Sequence, residues 1–190
     1  MPDRIVVGIS GASGAPVAVA VLEALRALGN VEVHLVVTGG AALTIKHECP
    51  QALAGICGLA DVVHDNSDVG AAVASGSFRT RGMIVVPCSM KTLAGIASGY
   101  SDNLLLRAAD VCLKERRRLV LGVRETPFSL VHIENMRAAT LAGAVVMPLA
   151  LTYYTNPESV GDMTRHMAGK ALDLFGLEPP GFRRWRGGGA

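Results

Sequence analysis

Aromatic side chains are scarce in this chain, with one Trp, three Tyr and four Phe among 190 residues. Half the residues are nevertheless hydrophobic and the mean hydropathy is +0.37, so Ala, Val, Leu and Gly must build most of the core. That apolar surplus over an 18% charged fraction points to buried subunit interfaces as well as a core. Charge of one sign is also lacking. Eighteen Lys and Arg against sixteen Asp and Glu leave a formal +2, and no basic stretch is interleaved with aromatics, which argues against nucleic acid as a partner. The basic residues cluster only at Lys114-Glu115-Arg116-Arg117-Arg118 and at Arg183-Arg184-Trp185-Arg186. Cys49, Cys57, Cys88 and Cys112 show no Cys-x-x-Cys spacing, the His residues show no ligand-like pairing, and no Asp-rich metal motif is present. Reduced thiols in a cytoplasmic protein are the simplest reading, and no metal site is expected. The start of the chain lacks a signal-peptide core, and no apolar run approaches the roughly 18–20 residues that span a bilayer.

What is present is an alternation of strands and helices. Arg4 to Ile9 is a β-branched run that ends in Ser10-Gly11-Ala12-Ser13-Gly14-Ala15, and Val17 to Leu28 then reads as an Ala/Leu helix. Val31 to Val37 follows as a second strand, so the pair forms a right-handed βαβ unit with parallel strands. Gly39 to Lys46 reads as a helix, whereas the stretch from Glu48 to Ser77 carries no clear period. Met83 to Pro87 is a buried strand that halts at the proline, and Ser89 caps the next helix. A helix over Asn103–Glu115, a strand over Leu119–Val123, a helix over Phe128–Ala142, a strand over Ala144–Met147 and a helix over Pro157–Phe175 complete the series, the last with Pro157 near its first turn. The expected fold is α/β, a three-layer, Rossmann-like (flavodoxin-like), doubly wound and mainly parallel sheet. Residues 1–186 should form one domain, with 187–190 a flexible Gly-rich tail. At 190 residues the chain suits a single core.

Three polar turns fall at the carboxyl ends of predicted strands: Ser10 to Gly14, Cys88 to Thr92 and Arg124 to Phe128. Ligands of open parallel sheets bind at that edge, so the three turns can converge on one crevice. The first turn opens a helix, where free N–H groups and the dipole favour an anion. It is neither a Walker loop nor Gly-x-Gly-x-x-Gly, and by itself it equally fits a tight, ligand-free connection. Ser89 to Thr92 offers hydroxyls and N–H groups at another helix start, though an ordinary Ser cap reads the same way. Cys88 is expected to be buried and inert, since no His stands near it in sequence. Arg124-Glu125 places a charged pair at the mouth of the sheet, either a surface ion pair or an acid–base group in a partly dry pocket.

As an ordered set, Gly8-Ile9-Ser10-Gly11-Ala12-Ser13-Gly14-Ala15, Pro87-Cys88-Ser89, Arg107-Ala108-Ala109-Asp110-Val111, Leu113-Lys114-Glu115-Arg116-Arg117, Arg124-Glu125-Thr126-Pro127, Tyr153-Tyr154-x-x-Pro157-x-Ser159-Val160 and Arg184-Trp185 resemble the UbiX-like flavin prenyltransferases over nearly the whole chain. That resemblance implies an enzyme joining the dimethylallyl group of dimethylallyl phosphate to N5 and C6 of reduced FMN. The prenylated FMN it makes serves a UbiD-like decarboxylase. It implies no metal, and a homo-oligomer, a dodecamer in the family. By motif, Gly11, Ala12, Ser13, Thr38, Ser89, Met90, Lys91, Thr92, Arg107 and Arg124 would contact FMN. Lys114, Arg124, Tyr154 and Lys170 would hold the substrate phosphate. Ser13, Glu48, Lys114, Glu125, Tyr154 and Trp185 would serve the chemistry. The sequence departs from the family pattern at Thr38-Gly39, Cys49-Pro50, Thr155 and Lys170, the last a Lys where Arg is common. Lys supplies a point charge to phosphate without the planar fork of Arg. Two other readings are a flavin-dependent decarboxylase of cysteine-containing substrates and a non-catalytic flavin carrier.

Overall fold

A computed structural model describes residues 3–185 and residue 187. Of the expected tail, residues 188–190 lie outside the described residues, as does residue 186.

The buried β-branched runs form the sheet. Strands β1 (Asp3–Ile9), β2 (Val31–Val37), β3 (Val62–His64), β4 (Gly82–Cys88), β5 (Arg118–Val123) and β6 (Val145–Pro148) lie in the order β3-β2-β1-β4-β5-β6, and every adjacent pair is parallel. This is the strand order of a doubly wound sheet, whose topological switch point lies between β1 and β4. Side-chain alternation divides the core in two. Ile5, Val7, Ile9, Val33, Leu35, Ile84, Val86 and Val120 face α1 (Ala15–Leu28) and α7 (Val160–Asp173), while Val6, Val36, Met83, Val85, Leu119 and Leu121 face α4 (Met90–Ser98) and α5 (Leu104–Lys114). Helices α2 (Gly39–Glu48) and α3 (Leu53–Cys57) complete the first layer, and α6 (Leu130–Ala142) the other. The core buries mainly aliphatic side chains, as the scarcity of aromatics required.

Several boundaries differ from expectation for local reasons. The stretch after Glu48 contains β3, a three-residue edge strand whose residues are only partly buried or exposed, so it carries no hydrophobic period. Strand β4 does not halt at Pro87 but runs on to Cys88, with its pairing to β5 shifted between Val85 and Cys88. The last helix starts at Val160, not at Pro157. The Ser159 hydroxyl caps it by accepting the Asp162 N–H at 3.1 Å, which leaves Pro157 outside the first turn. Helix α6 is unusual in exposing apolar residues: Leu130, Val131, Ile133 and Leu141 all lie open to solvent. Among the described residues no helix is long and apolar enough to cross a membrane.

Candidate active site

The switch point lies between the carboxyl ends of β1 and β4, where open sheets of this kind bind ligands in a crevice. Ser10, 1% exposed, ties the two strand ends together. Its hydroxyl donates to the Pro87 carbonyl at 2.9 Å and accepts the Ser89 N–H at 2.8 Å. The turn after β1 and the turn after β4 are thus one rigid unit. Sequence reasoning counted Ser10 only as part of a turn, although a Ser ending a buried strand is itself a signal, because a buried hydroxyl must find partners. The Ser89 side chain accepts the Thr92 N–H at 3.3 Å and donates to the Thr92 hydroxyl at 3.1 Å, the expected cap of α4. Met90 and Thr92 are buried, whereas Lys91 is exposed.

Thr38 brings in a third turn. Its N–H donates to the Ile9 carbonyl at 3.0 Å, and its hydroxyl caps α2 by accepting the Ala41 N–H at 3.1 Å. The Gly11 and Gly40 backbones pass so closely that a Cβ on Gly11 would stand 3.0 Å from the Gly40 carbonyl carbon. Only a residue without a side chain permits that approach.

The positive end of α1 is already satisfied by the chain itself. Glu48, at the last turn of α2, accepts the Gly14 and Ala15 N–H groups at 2.8 and 2.9 Å through Oε2. This turn fitted an anion site and a ligand-free connection equally well; a side-chain carboxylate of the chain itself holds the position. Burial would raise the Glu48 carboxyl, but the Ser13 hydroxyl, the Gly14 and Ala15 N–H groups and the Arg124 charge outweigh it and hold it below its ordinary value. Glu48 thus stands at the start of α1, at the C-terminal edge of the sheet, within the influence of the Arg124 charge. Ala12 is half-buried, while Gly11 and Ser13 are exposed.

Arg124 and Glu125 do not pair with each other. Among the described residues no ion pair joins them; Glu125 instead accepts the Thr126 N–H at 3.0 Å, and both side chains are exposed. Leu149, just after β6, packs at the same edge, close to Gly14 and Gly122. The loop it begins carries Tyr154, whose ring meets Trp185 edge-on at 5.3 Å between centroids and His166 at 5.8 Å. Cys88 is fully buried, and burial pushes its thiol up to about 12, so it is inert as expected.

The remaining candidates lie elsewhere in the chain. Lys114 ends α5 four residues before β5 begins, at the N-terminal edge of the sheet, and its Nζ pairs with Glu115 at 2.6 Å. The neighbouring Arg117 donates to the Phe78 carbonyl at 2.8 Å. Arg107, two turns earlier on α5, donates to the Ala74 carbonyl at 3.2 Å and pairs with Asp110 at 2.6 Å. Lys170, near the end of α7, pairs with Asp173 at 2.9 Å. The chain thus gathers Ser13, Thr38, Glu48, Ser89 and Arg124 on one edge and does not bring Arg107, Lys114 or Lys170 to them. The position of Lys114 was legible in principle, since a residue just before a parallel strand must stand at that strand's amino end.

The flavoprotein family model matches residues 2–166. The flavin prenyltransferase UbiX of Deinococcus radiodurans is 54% identical over 185 residues, covering 97% of this chain and 94% of the relative. The crystal structure of AnUbiX (PadA1) in complex with FMN and dimethylallyl pyrophosphate superposes with a TM-score of 0.97 at 51% identity, covering both chains completely. That of a dodecameric FMN-dependent UbiX-like decarboxylase from Escherichia coli gives 0.95 at 51% identity, covering 97% of this chain and 100% of the other. The ordered motifs, the strand order and these full-length likenesses agree, and the chain belongs to the flavoprotein family, among the UbiX-like flavin prenyltransferases.

Proposed function

We propose that this chain joins the dimethylallyl group of dimethylallyl phosphate to N5 and C6 of reduced FMN, making prenylated FMN for a UbiD-like decarboxylase in the cytoplasm. The observation that carries the reading is the meeting of the turns after β1 and β4, tied through Ser10, at the switch point of the sheet, in a chain similar over its whole length to a relative solved with FMN and dimethylallyl pyrophosphate. Residues 1–186 act as one flavin-binding domain.

The crevice suits a flavin. Gly11, Ser13, Gly39 and Arg124 are exposed around it, and a Cβ on Gly39 would meet nothing within 4 Å, so a flat ring system and its phosphate tail have open ground between hydroxyls and N–H groups. Gly11, Ala12, Ser13, Thr38, Arg124 and the Ser89–Thr92 turn would hold it. Bound reduced FMN supplies the nucleophilic nitrogen and the ring carbon for the second bond.

The chain's residues do the rest. Glu48 fixes the start of α1 by accepting the Gly14 and Ala15 N–H groups, and the exposed Ser13 hydroxyl beside it can bond to a ligand. As the allylic C–O bond breaks, the electron pair leaves with phosphate, and cations at Arg124, Lys114 and Lys170 balance that charge without a metal. Tyr154 and Trp185 offer π faces to the allyl cation. N5 gives up its proton as the first bond forms; the remaining C=C must then be protonated before C6 can close on it, and Glu125 or the released phosphate would deliver that proton and take the one that C6 loses.

Lys114, Arg107 and Lys170 join this site only when further copies of the chain supply them. The exposed apolar residues of α6 and the dodecameric state of the Escherichia coli relative support a homo-oligomer in which they do so. The test is phosphate release from dimethylallyl phosphate. It should depend on reduced FMN, and oxidised FMN should not replace it. Release that ignores the flavin's redox state contradicts the proposal.

A further inference from the structure

After α7 the chain reverses. Gly176 turns it at φ 67°, Leu177 is buried, and residues 177–185 run back along α7 towards the loop that carries Tyr154. Two contacts hold the returning strap. Phe182 lies flat on Gly169 of α7, so closely that a Cβ there would stand 2.9 Å from the Phe182 Cγ and 3.1 Å from its Cβ; the phenyl also meets the His166 ring at 5.3 Å between centroids. Arg184 donates to Asp173 at 2.6 Å and to Glu178 at 3.2 Å, and its guanidinium sits 5.5 Å from the Phe182 ring centroid. The residue after Arg184 is Trp185, the only tryptophan of the chain.

We propose that Gly169, Asp173 and Arg184 are positioning residues for the prenyl end of the site. They fold the strap back along α7 and so set the Trp185 ring edge-on to Tyr154. This rests on the reading that those two rings wall the dimethylallyl group. Each contact has its own physical requirement. Gly169 must lack a Cβ because the whole Phe182 side chain, not a flexible tip, occupies that space. Asp173 must be a carboxylate because it accepts from Lys170 and Arg184 together. Arg184 must be long and forked, since it reaches two carboxylates while lying over an aromatic ring.

The lone tryptophan makes the test direct. Arg184→Gln leaves the Lys170–Asp173 pair in place, and Gly169→Ala adds only the methyl that displaces Phe182. In both variants the Trp185 emission should shift to the red and its anisotropy should fall. The KM for dimethylallyl phosphate should rise several-fold while FMN affinity stays at the wild-type value, and Arg184→Lys should recover part of the loss. A merely structural glycine predicts the opposite for Gly169→Ala, because alanine favours a helix interior. Unchanged emission and anisotropy in both variants, beside normal wild-type turnover, overturns the proposal alone. A changed emission with an unchanged KM overturns it too. Should the wild-type protein make no prenylated flavin, the underlying reading fails and the positioning role falls with it.

Discussion

The Glu48 carboxylate accepts the Gly14 N–H at 2.8 Å, so the end of α2 caps the start of α1 across 34 residues of sequence. A negative charge at a helix N-terminus contributes roughly 0.3–1 kcal/mol. The folded carboxyl titrates below its ordinary 4.5, so this stability is present above that value and is lost as pH falls through the lowered one. Glu48→Gln should therefore lower Tm most at neutral pH, and the gap from wild type should close as the pH is brought down past 4.5. Thermal melts across that range check it; a gap independent of pH removes the charge from the explanation.

Ser10→Ala should cost about 1–3 kcal/mol, because the Ser89 N–H loses its acceptor inside the fold. Urea unfolding measures that loss. FMN affinity should fall with it, since this hydroxyl makes two of the bonds that join the turns after β1 and β4, beside the Ser10 N–H to the Pro87 carbonyl. Stability lost with affinity intact would separate the clamp from the flavin site.

The long strands were legible in the sequence and the short ones were not. Val31–Val37 reads as a strand because its side chains are buried on both faces, and the structure places it there with the same limits. Strand β3 escaped because three residues at a sheet edge bury too little to leave a period. The start of α7 was misplaced because Pro157 and Ser159 are both start signals, and the Ser159 hydroxyl is the one that makes the cap. At the site, Ser13, Ser89 and Arg124 were findable because each follows a recognisable strand. The capping role of Glu48 was not, since nothing local to residue 48 points to a partner at residue 14. Lys114 and Lys170 were grouped with Arg124 by motif alone, and the fold sets them on different surfaces.

Glu125 is exposed and, among the described residues, bonded only to its neighbour's N–H, so little of the fold depends on it. Glu125→Gln keeps the shape and removes the basicity. The variant should bind FMN and melt like wild type, while turnover falls by about 100- to 10,000-fold, the usual contribution of a general acid–base group. Near-normal turnover would assign the proton to the departing phosphate, and a lowered Tm would make the residue structural.

Cationic side chains are sufficient partners for the leaving phosphate in this account. Protein treated with a chelator should keep its full prenylation rate, and added magnesium should not raise it. A rate that collapses on chelation and returns with magnesium refutes the roles given to Arg124, Lys114 and Lys170.

The most direct test of the central claim is the mass of the flavin after anaerobic incubation of the protein with reduced FMN and dimethylallyl phosphate. The account predicts FMN heavier by one five-carbon prenyl unit, with one phosphate released for each flavin modified. Flavin recovered at the mass of FMN, from protein that binds it, would contradict the account.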